Sequence, residues 1–252
     1  MTLPRYDFSE RVVVVTGGSR GVGLGIVTAF ADAGAHVVTC GRHEAAVEGA
    51  VFTEADVRKP ADAERVIAKA VEQFGRLDVL VNNAGGAPHA MAAEMSPRFV
   101  EAVINLNLLA PLWCAQSAHK VMVQQEDGGC IVNITSVSGI RPSPGASAYG
   151  AAKAGLINLT TTLAVEWAPE VRVNCVTAGL LDTGAGDEFY GGPEGMERVA
   201  ATVPLGRMGV PEDVADACLF LASDAASYVS GANLVLHGGG EWPAFLRAAG
   251  GS

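Results

Sequence analysis

The feature that most constrains the fold is a regular alternation of short β-branched runs with segments of helical periodicity. Several runs, such as residues 12–15, are apolar at consecutive positions, as expected of strands that helices cover on both faces. This alternation is typical of a parallel, doubly wound sheet. The predicted strands are residues 12–16, 36–40, 51–55, 79–82, 130–135, 172–176 and 233–236, and the predicted helices are 23–33, 60–74, 98–125, 149–167 and 211–221.

The length of the chain indicates how many domains it forms. A chain of 252 residues is long enough for one large α/β domain and too short for two ordinary enzymatic domains, so we expect a single domain over residues 1–252. Hydrophobic residues make up 49% of the chain, which excludes a disordered protein. Residues 180–209 depart from the alternation because they are rich in glycine and have no clean period. We predict that this long excursion is the substrate loop and a candidate lid.

Charge and cysteine content narrow the possible partners and the location. The formal net charge is −10 and there are only four lysines, so the average field repels nucleic acids and anionic membranes, and neither is expected as a partner. The five cysteines are an odd number without Cys-x-x-Cys spacing, which indicates a reducing cytoplasm, and no metal site is expected. We predict no secretory signal and no membrane-spanning segment, and therefore a cytoplasmic protein.

Tyr149 and Lys153 lie four residues apart in a predicted helix, so a phenol and an ammonium share one helix face. A cation beside a tyrosine favours the phenolate, and an acid/base tyrosine that works near neutrality needs a pKa roughly three units below its ordinary value of ~10. A single Tyr-x-x-x-Lys is more often a solvated helix face. The other residues of the chain therefore have to supply the functional context.

The first predicted strand ends in a glycine-rich loop directly before a helix. Glycines let the backbone approach a pyrophosphate, and the helix N-terminus supplies amides, although a purely structural turn is an equal alternative. The loop also matches the Gly-x-Ser-x-Gly elbow of hydrolases. We reject that interpretation because only fifteen residues precede Thr16, and the oxyanion-like run 237–240 lies at the wrong end of the chain. The candidate dinucleotide contacts are Gly17, Ser19, Arg20, Gly21, Val22 and Gly23.

Arg42 follows the second predicted strand, where an acidic residue would hold the 2′-hydroxyl of an NAD ribose. An arginine at this place suits the 2′-phosphate of NADP, and Arg20 could add a second cation. The sequence therefore favours NADP(H), with NAD(H) still possible.

Asp56 and Val57 follow the third predicted strand and are also candidate cofactor residues. Asp56 either accepts a hydrogen bond from the adenine amino group or caps the next helix. Asp62 or Pro60 could fill the capping role equally well.

Small and polar residues also mark the ends of the fourth and fifth predicted strands. The turn 82–85 permits close backbone contact, and its amides can cross-link neighbouring loops. Asn107 is a polar residue within a long apolar helix, and Ser136 precedes Tyr149 by thirteen residues, with Ser138 as its rival for a place beside the phenol. The turn adds Asn83, Ala84 and Gly85 to the candidate cofactor contacts.

The glycine-rich loop, the turn 82–85, Asn107, Ser136 and Tyr149-x-x-x-Lys153 occur in this order within about residues 10 to 240. In this combination the chain resembles the short-chain dehydrogenase/reductases of about 250 residues. The resemblance implies a Rossmann-type doubly wound sheet of seven parallel strands and an NAD(P)-dependent oxidoreductase that interconverts a carbonyl and an alcohol of a small molecule. It also implies a homotetramer or a homodimer.

The same resemblance implies roles for individual residues. Tyr149 would be the general acid/base, Lys153 would lower its pKa and bind the nicotinamide ribose, Ser136 would hold the substrate carbonyl, and Asn107 would anchor a water of the proton relay. The loop after the sixth strand would contact the nicotinamide end of the cofactor through Gly179, Leu181 and Thr183.

The chain departs from the family pattern at three places. Ala178 replaces a usual proline, so the loop that follows is expected to be more mobile. His237 replaces a common aspartate, which we interpret as a structural change far from the chemistry. Residues 42–56 are a short connection, so the helix that usually follows the second strand should be reduced to a turn or two.

Substrate identity does not follow from the sequence. The pocket walls are predicted from residues 86–95, 138–147 and 180–209, which suggest a largely apolar pocket with an optional cation. These walls contain His89, Met91, Arg141, Phe189 and Tyr190. The tail 241–252 either reaches a neighbouring subunit or frays.

Two other functions remain open. The first is an activity like that of 3-oxoacyl-carrier-protein reductases. Their carrier protein is acidic, and a chain with a net charge of −10 has no obvious basic surface that would bind it. The second is a non-catalytic dinucleotide sensor on the same fold, which would tend to lose the four catalytic residues.

Overall fold

A computed structural model describes residues 6–184 and 190–250. Seven parallel strands form one sheet, as predicted. The strands are β1 (Val12–Thr16), β2 (His36–Gly41), β3 (Ala50–Glu54), β4 (Val79–Asn82), β5 (Gly129–Ser136), β6 (Val171–Ala178) and β7 (Asn233–Leu236). Their order across the sheet is β3-β2-β1-β4-β5-β6-β7, so the strand order reverses between β1 and β4. Open α/β sheets bind ligands in the crevice at such a reversal, beyond the carboxyl ends of the strands.

The two faces of the sheet have separate cores, which explains the consecutive apolar positions of the strands. In β1, Val12 and Val14 pack into one cluster, and Val13 and Val15 pack into the other. All four side chains are at most 1% exposed. Because successive side chains of a strand point to opposite faces, a strand that is covered on both sides needs apolar residues throughout.

The helices agree with the predicted ones to within a few residues. They are α1 (Gly21–Asp32), α2 (Pro60–Phe74), α3 (Pro97–Ile104), α4 (Ala110–Met122), α5 (Ser147–Glu166), α6 (Gly192–Ala200), α7 (Pro211–Ala222) and the short α8 (Ala244–Ala248). Helices α6 and α8 were not predicted, because α6 lies in a glycine-rich segment with few apolar positions and α8 has only five residues. Residues 42–49 form bends and a turn without a helix, so this connection is reduced even further than expected.

The predicted helix 98–125 is interrupted by a π-helical turn, Asn105–Leu109, and it ends at Met122. A π-helical turn is wider than an α-helical turn, and Pro111 explains why it forms here. Proline has no N–H, and its ring would crowd the carbonyl of Asn107, four residues earlier. By length and composition alone, the stretch Pro97–Met122 could cross a membrane, which is weak evidence because core helices pass the same test. Its residues Cys114, Ala118 and Met122 pack into the core of the protein.

The ends of the predicted substrate loop are joined at its base. Leu181 and Gly209 form an isolated parallel bridge, and the backbone N–H of Asp182 donates to the Gly209 carbonyl at 2.8 Å. The loop therefore leaves the sheet and returns to it at one point. Phe189, one of the predicted pocket residues, lies outside the described residues.

Candidate active site

The glycine-rich loop and the turn after β4 are fastened to each other through Thr16 and Asn83. Thr16 Oγ1 accepts hydrogen bonds from the backbone N–H groups of Asn83 at 3.0 Å and of Ala84 at 2.9 Å. Asn83 Nδ2 donates to the carbonyls of Thr16 at 2.9 Å and of Gly17 at 3.2 Å. The predicted cross-link between the two loops is therefore present.

Two positions of the glycine-rich loop leave no room for a side chain. A Cβ at Gly23 would lie 2.2 Å from the Gly17 carbonyl oxygen, and a Cβ at Gly18 would lie 2.3 Å from Thr39 Oγ1. Helix α1 begins here with no side-chain cap and no acidic residue in its first turn. Its backbone N–H groups and the positive end of its dipole are thus available to an anion such as a pyrophosphate.

Ser136, Tyr149 and Lys153 come together where β5 and α5 meet. The Ser136 hydroxyl lies close enough to the Tyr149 side chain to act on the pKa of the phenol, and Lys153 Nζ lies 5.7 Å from the centroid of the Tyr149 ring. The shared helix face that the sequence predicted is therefore present. Lys153 is buried and donates to the Ile134 carbonyl at 2.8 Å. Ser136 lines the cleft beside these residues, whereas Ser138 is not among the lining residues, so the geometry favours Ser136 over its rival.

The expected depression of the Tyr149 pKa is not found. Burial raises the pKa of the Tyr149 phenol, and the hydrogen bond from Ser136 opposes this rise without overcoming it. Burial also lowers the pKa of Lys153 to about 8. Desolvation disfavours the charged form of each group, and the prediction considered only the attraction between the ammonium and the phenolate.

Asn107 is fully buried in the π-helical turn, behind the turn after β4. Its Oδ1 accepts from the Gly86 N–H at 2.8 Å, while its Nδ2 donates to the Gly86 and Val103 carbonyls, both at 2.9 Å. The side-chain amide is thus occupied in positioning Gly86. Its backbone carbonyl cannot receive the usual helical hydrogen bond, because residue 111 is a proline.

A cleft of about 940 Å³ runs over the carboxyl ends of the strands. It is lined by every residue that the sequence suggested for the cofactor, namely Gly17, Ser19, Arg20, Gly21, Val22, Gly23, Arg42, Asp56, Val57, Asn83, Ala84, Gly85, Tyr149, Lys153, Gly179, Leu181 and Thr183. The volume, the glycine backbone and the uncapped helix together fit a dinucleotide.

Of the two functions predicted for Asp56, the structure tests only the capping of α2. Its carboxylate is held by Arg58, with contacts of 2.8 Å from Nε and 2.6 Å from Nη2, and these hold the pKa of the carboxyl below its ordinary value. Asp56 does not cap α2, because the residue at the N-cap is Lys59 and its side chain makes no cap hydrogen bond. Asp62 Oδ2 accepts from the backbone N–H of Asp56 at 2.9 Å.

The sequence did not predict that Arg58 and His237 lie at or next to the cleft. Arg58 lines the cleft, and only the spacing Asp-x-Arg could have suggested its ion pair with Asp56. His237 was expected far from the chemistry, yet a Cβ at Gly179 would lie 2.7 Å from the His237 Cβ. His237 therefore packs directly behind a residue of the cleft. Ala178, where proline is usual, ends β6 and pairs in the sheet with both neighbouring strands.

Comparisons with known proteins agree with this geometry. The model of the enoyl-(acyl carrier protein) reductase family matches residues 17–241. A 3-oxoacyl-(acyl-carrier-protein) reductase of Chlamydia muridarum is 37% identical, and the match covers 91% of this chain and 97% of that protein. A 3α-hydroxysteroid dehydrogenase of Mediterraneibacter gnavus is 36% identical, with 91% and 96% covered. The chain belongs to the short-chain dehydrogenase/reductase family.

The solved structures agree with this membership. The short-chain dehydrogenase/reductase (glucose/ribitol dehydrogenase) from Brucella melitensis has a TM-score of 0.86 and 30% identity, and the match covers 93% of this chain and 98% of that chain. This short-chain dehydrogenase/reductase is accordingly an NAD(P)-dependent oxidoreductase that interconverts carbonyl and alcohol groups of small molecules. The relatives differ in their substrates.

Proposed function

We propose that this short-chain dehydrogenase/reductase uses NADPH to reduce a small carbonyl compound to an alcohol, with Tyr149 as the proton donor. The observation that carries the proposal is the convergence of Ser136, Tyr149 and the buried Lys153 in one cleft with the glycine-rich loop. Because burial raises the pKa of Tyr149, its hydroxyl is protonated near neutrality and is ready to donate. A bound NADPH supplies the hydride.

Each of the four catalytic residues has a proposed task. The hydroxyls of Ser136 and Tyr149 hold and polarise the substrate oxygen, and Tyr149 gives up its proton as the alcohol forms. Lys153 uses one of its three N–H donors on the Ile134 carbonyl, which leaves the others for the nicotinamide ribose. The buried Asn107 positions the backbone of Gly86, and its own carbonyl is the proposed place of a relay water.

Preference for NADP(H) over NAD(H) is part of the proposal. Arg20 and Arg42 are exposed side chains on the wall of the cleft. Neither forms an ion pair with another residue in the described ranges 6–184 and 190–250. Arg58, by contrast, is engaged by Asp56. Two cations without carboxylate partners suit a 2′-phosphate.

Replacing Tyr149 by Phe tests the central step. The variant loses only the hydroxyl, so turnover should fall by roughly 10²–10⁴-fold, while the Kd for NADPH stays within about twofold. Reduction of a panel of ketones, followed through the absorbance of the reduced nicotinamide, provides the measurement. Tyr228→Phe makes the same chemical change at an exposed position and should leave turnover unchanged. Full turnover in the Tyr149 variant would remove Tyr149 from the mechanism.

A carrier-bound acyl substrate is the second candidate, because a 3-oxoacyl-(acyl-carrier-protein) reductase is among the relatives. Docking of an acidic carrier protein depends on charge and weakens with ionic strength, whereas reduction of a free ketone does not. Turnover measured at low and high salt with both kinds of substrate separates the two candidates. The four catalytic residues are all present, so we do not favour a non-catalytic sensor.

We further propose that the enzyme is a homotetramer or homodimer in the cytoplasm, in one domain that spans residues 1–252 with residues 180–209 as its substrate loop. All five cysteines are free thiols buried in the protein, which suits a reducing compartment. Sedimentation analysis of the purified protein measures the number of subunits. A monomer at micromolar concentration would contradict this part of the proposal.

A further inference from the structure

An ion pair joins the C-terminal tail to the loop between the two catalytic hydroxyls. Arg141 lies in the loop 137–146, which connects Ser136 to the helix of Tyr149. Its Nη2 donates to Glu241 Oε1, and the two residues are 100 positions apart in the chain. Their side chains are 35% and 30% exposed, so the pair is partly shielded from solvent. The ion pair thus joins a distant segment to the loop 137–146, which we call the catalytic loop.

The loop itself holds the Arg141 side chain in place. Nη1 donates to the Pro142 carbonyl and to Ser143 Oγ, each at 3.1 Å, and the backbone N–H of Arg141 donates to the Val137 carbonyl at 2.9 Å. Its Nε is buried and has no partner in the described part of the chain. An unpaired buried donor lowers stability, so the arrangement does not serve stability best.

Two further hydrogen bonds hold the tail, and the residues directly before it, on the other side. The Gly238 carbonyl accepts from the Leu205 N–H at 3.1 Å, and the Trp242 N–H donates to the Thr202 carbonyl at 3.1 Å. The tail therefore bridges the end of the substrate loop and the catalytic loop.

The ion pair adjoins the catalytic cleft through Tyr190. Tyr190 lines the cleft together with Tyr149. Burial raises the pKa of Tyr190, and the charges of Arg141 and Glu241 act on it in opposite directions. Both charged groups are therefore within electrostatic range of a residue on the cleft wall.

Large apolar side chains are exposed on the loop of Arg141, on the tail and on the segment that precedes α3. Met91, Ile140 and Trp242 are 49%, 48% and 51% exposed, and we call these three residues the apolar mouth. The segment of Met91 is attached to the catalytic loop because the Ala90 N–H donates to the Gly145 carbonyl at 2.9 Å. Ile140 and Trp242 directly adjoin Arg141 and Glu241 in the chain, and the opposite charges of that ion pair cancel. Such a surface suits an apolar group better than a charged one.

We infer that the Arg141–Glu241 ion pair holds the tail beside the cleft so that the apolar mouth binds an apolar chain extending from the reacting carbonyl. Arg141 and Glu241 are then positioning residues, and Trp242 determines specificity. The substrate class is a carbonyl compound with a long apolar substituent. This inference rests on the proposed function.

Hydrogen exchange tests whether the ion pair holds the tail. Glu241→Gln removes the charge and keeps the size, and Glu72→Gln, which removes the acidic partner of Lys69 on α2, is the matched control. Backbone amides of residues 237–248 should exchange roughly tenfold faster in Glu241→Gln than in the wild type, and the control should match the wild type. Unchanged exchange in Glu241→Gln would overturn the inference.

Two ketones test the selection of an apolar chain. With NADPH as the reductant, the KM for octan-2-one should rise about fivefold in Glu241→Gln and in Trp242→Ala, whereas the KM for butan-2-one and both kcat values stay within about twofold. Equal changes for the two ketones would overturn the inference, because a general loss of structure affects both.

Binding without turnover separates this inference from the proposed function. In the presence of NADPH, octan-2-one should slow exchange of residues 237–248 in the wild type and not in Trp242→Ala, and butan-2-one should have no effect in either. If the wild type reduces neither ketone but octan-2-one still slows exchange, the proposed reduction of ketones is wrong and the binding inference holds. If octan-2-one does not slow exchange in the wild type, the inference is overturned.

Discussion

The nucleotide end and the substrate end of the cleft are built in different ways. At the nucleotide end, the side chains of Thr16 and Asn83 bond to backbone groups and so fasten two neighbouring loops at distances of 2.9–3.2 Å. At the substrate end, two side chains bond to each other, as Arg141 and Glu241 do. The first end has positions that accept only glycine or one particular small polar residue. The second depends on contacts that many pairs of side chains could make.

This difference determines which substitutions each end of the cleft tolerates. A backbone cradle fails when an atom is added, because nothing around it can move aside without loosening the sheet. A rim of side chains can change its selectivity while the hydride-transfer site remains intact. Substitutions at the nucleotide end should therefore affect folding and cofactor binding together, and substitutions at the substrate end should affect mainly KM.

The largest expected effect comes from Gly23→Ala. The added Cβ would lie 2.2 Å from the Gly17 carbonyl oxygen and 2.5 Å from Asn83 Nδ2, so both loops must shift. We expect the free energy of unfolding to fall by about 3–4 kcal/mol and the Kd for NADPH to rise at least about hundredfold. Urea denaturation and NADPH titration measure the two quantities.

Gly206→Ala provides the matched substitution at the substrate end. Gly206 has a φ of +72° and no atom within 4 Å of a Cβ, so alanine meets only the backbone penalty of the left-handed region. That penalty is about 1–2 kcal/mol, and the Kd for NADPH should not change. If the two variants lost equal stability and kept equal cofactor affinity, the proposed contrast between the two ends would be wrong.

Much of the nucleotide end could be predicted from the sequence because its signals are local. A buried parallel strand needs consecutive apolar residues, and the strands Val12–Thr16, Val79–Asn82 and Asn233–Leu236 have the predicted bounds. A glycine-rich turn between a strand and a helix has few geometries, so the residues suggested there do line the cleft. The spacing of Tyr149 and Lys153 likewise fixes their shared helix face.

The remaining features depend on the environment of each residue in the folded protein. The rise in the pKa of Tyr149 comes from burial, which spacing does not reveal. Helix α6 has only nine residues with few apolar positions among them, and it lies in a glycine-rich segment, so it was not predicted. The ion pair of Arg141 and Glu241 joins segments 100 residues apart, and no local pattern links them. The sequence therefore indicates a cation near the pocket and does not indicate its carboxylate partner.

The next largest effect concerns the pH dependence of stability through Lys153. Burial lowers the pKa of this amine from 10.5 to about 8. Between these two values the unfolded chain binds more protons than the folded protein, so stability rises with pH in this window. Lys153→Met lacks this dependence. The free energy of unfolding of the wild type should therefore increase by roughly 3 kcal/mol relative to the variant between pH 7 and pH 10.5.

Urea denaturation of both proteins across this pH range measures the difference. Lys120→Met removes an exposed lysine of α4 and should follow the wild-type curve. Parallel curves for the wild type and Lys153→Met would show that the amine keeps its ordinary pKa in the folded protein. The structural basis for a desolvated lysine beside Tyr149 would then be wrong.

The smallest expected effect concerns the exposed arginines of the nucleotide end. Arg42→Gln removes one of the two cations proposed for the 2′-phosphate, so the Kd for NADPH should rise about tenfold while the Kd for NADH stays unchanged. Fluorescence titration with each nucleotide measures both constants. Because NADH lacks the phosphate, it serves as an internal control for the rest of the cleft.

Arg198→Gln makes the same change of net charge on α6, where Arg198 is 71% exposed and pairs loosely with Glu194. It should leave both constants unchanged, because solvent and salt screen a charge outside the cleft. An equal rise for NADPH and NADH in Arg42→Gln would indicate that Arg42 acts on the common part of the dinucleotide, and the preference for NADP(H) would lose its basis. The nucleotide end would then be specific only for the dinucleotide backbone, and its exposed rim would tolerate substitution much as the substrate end does.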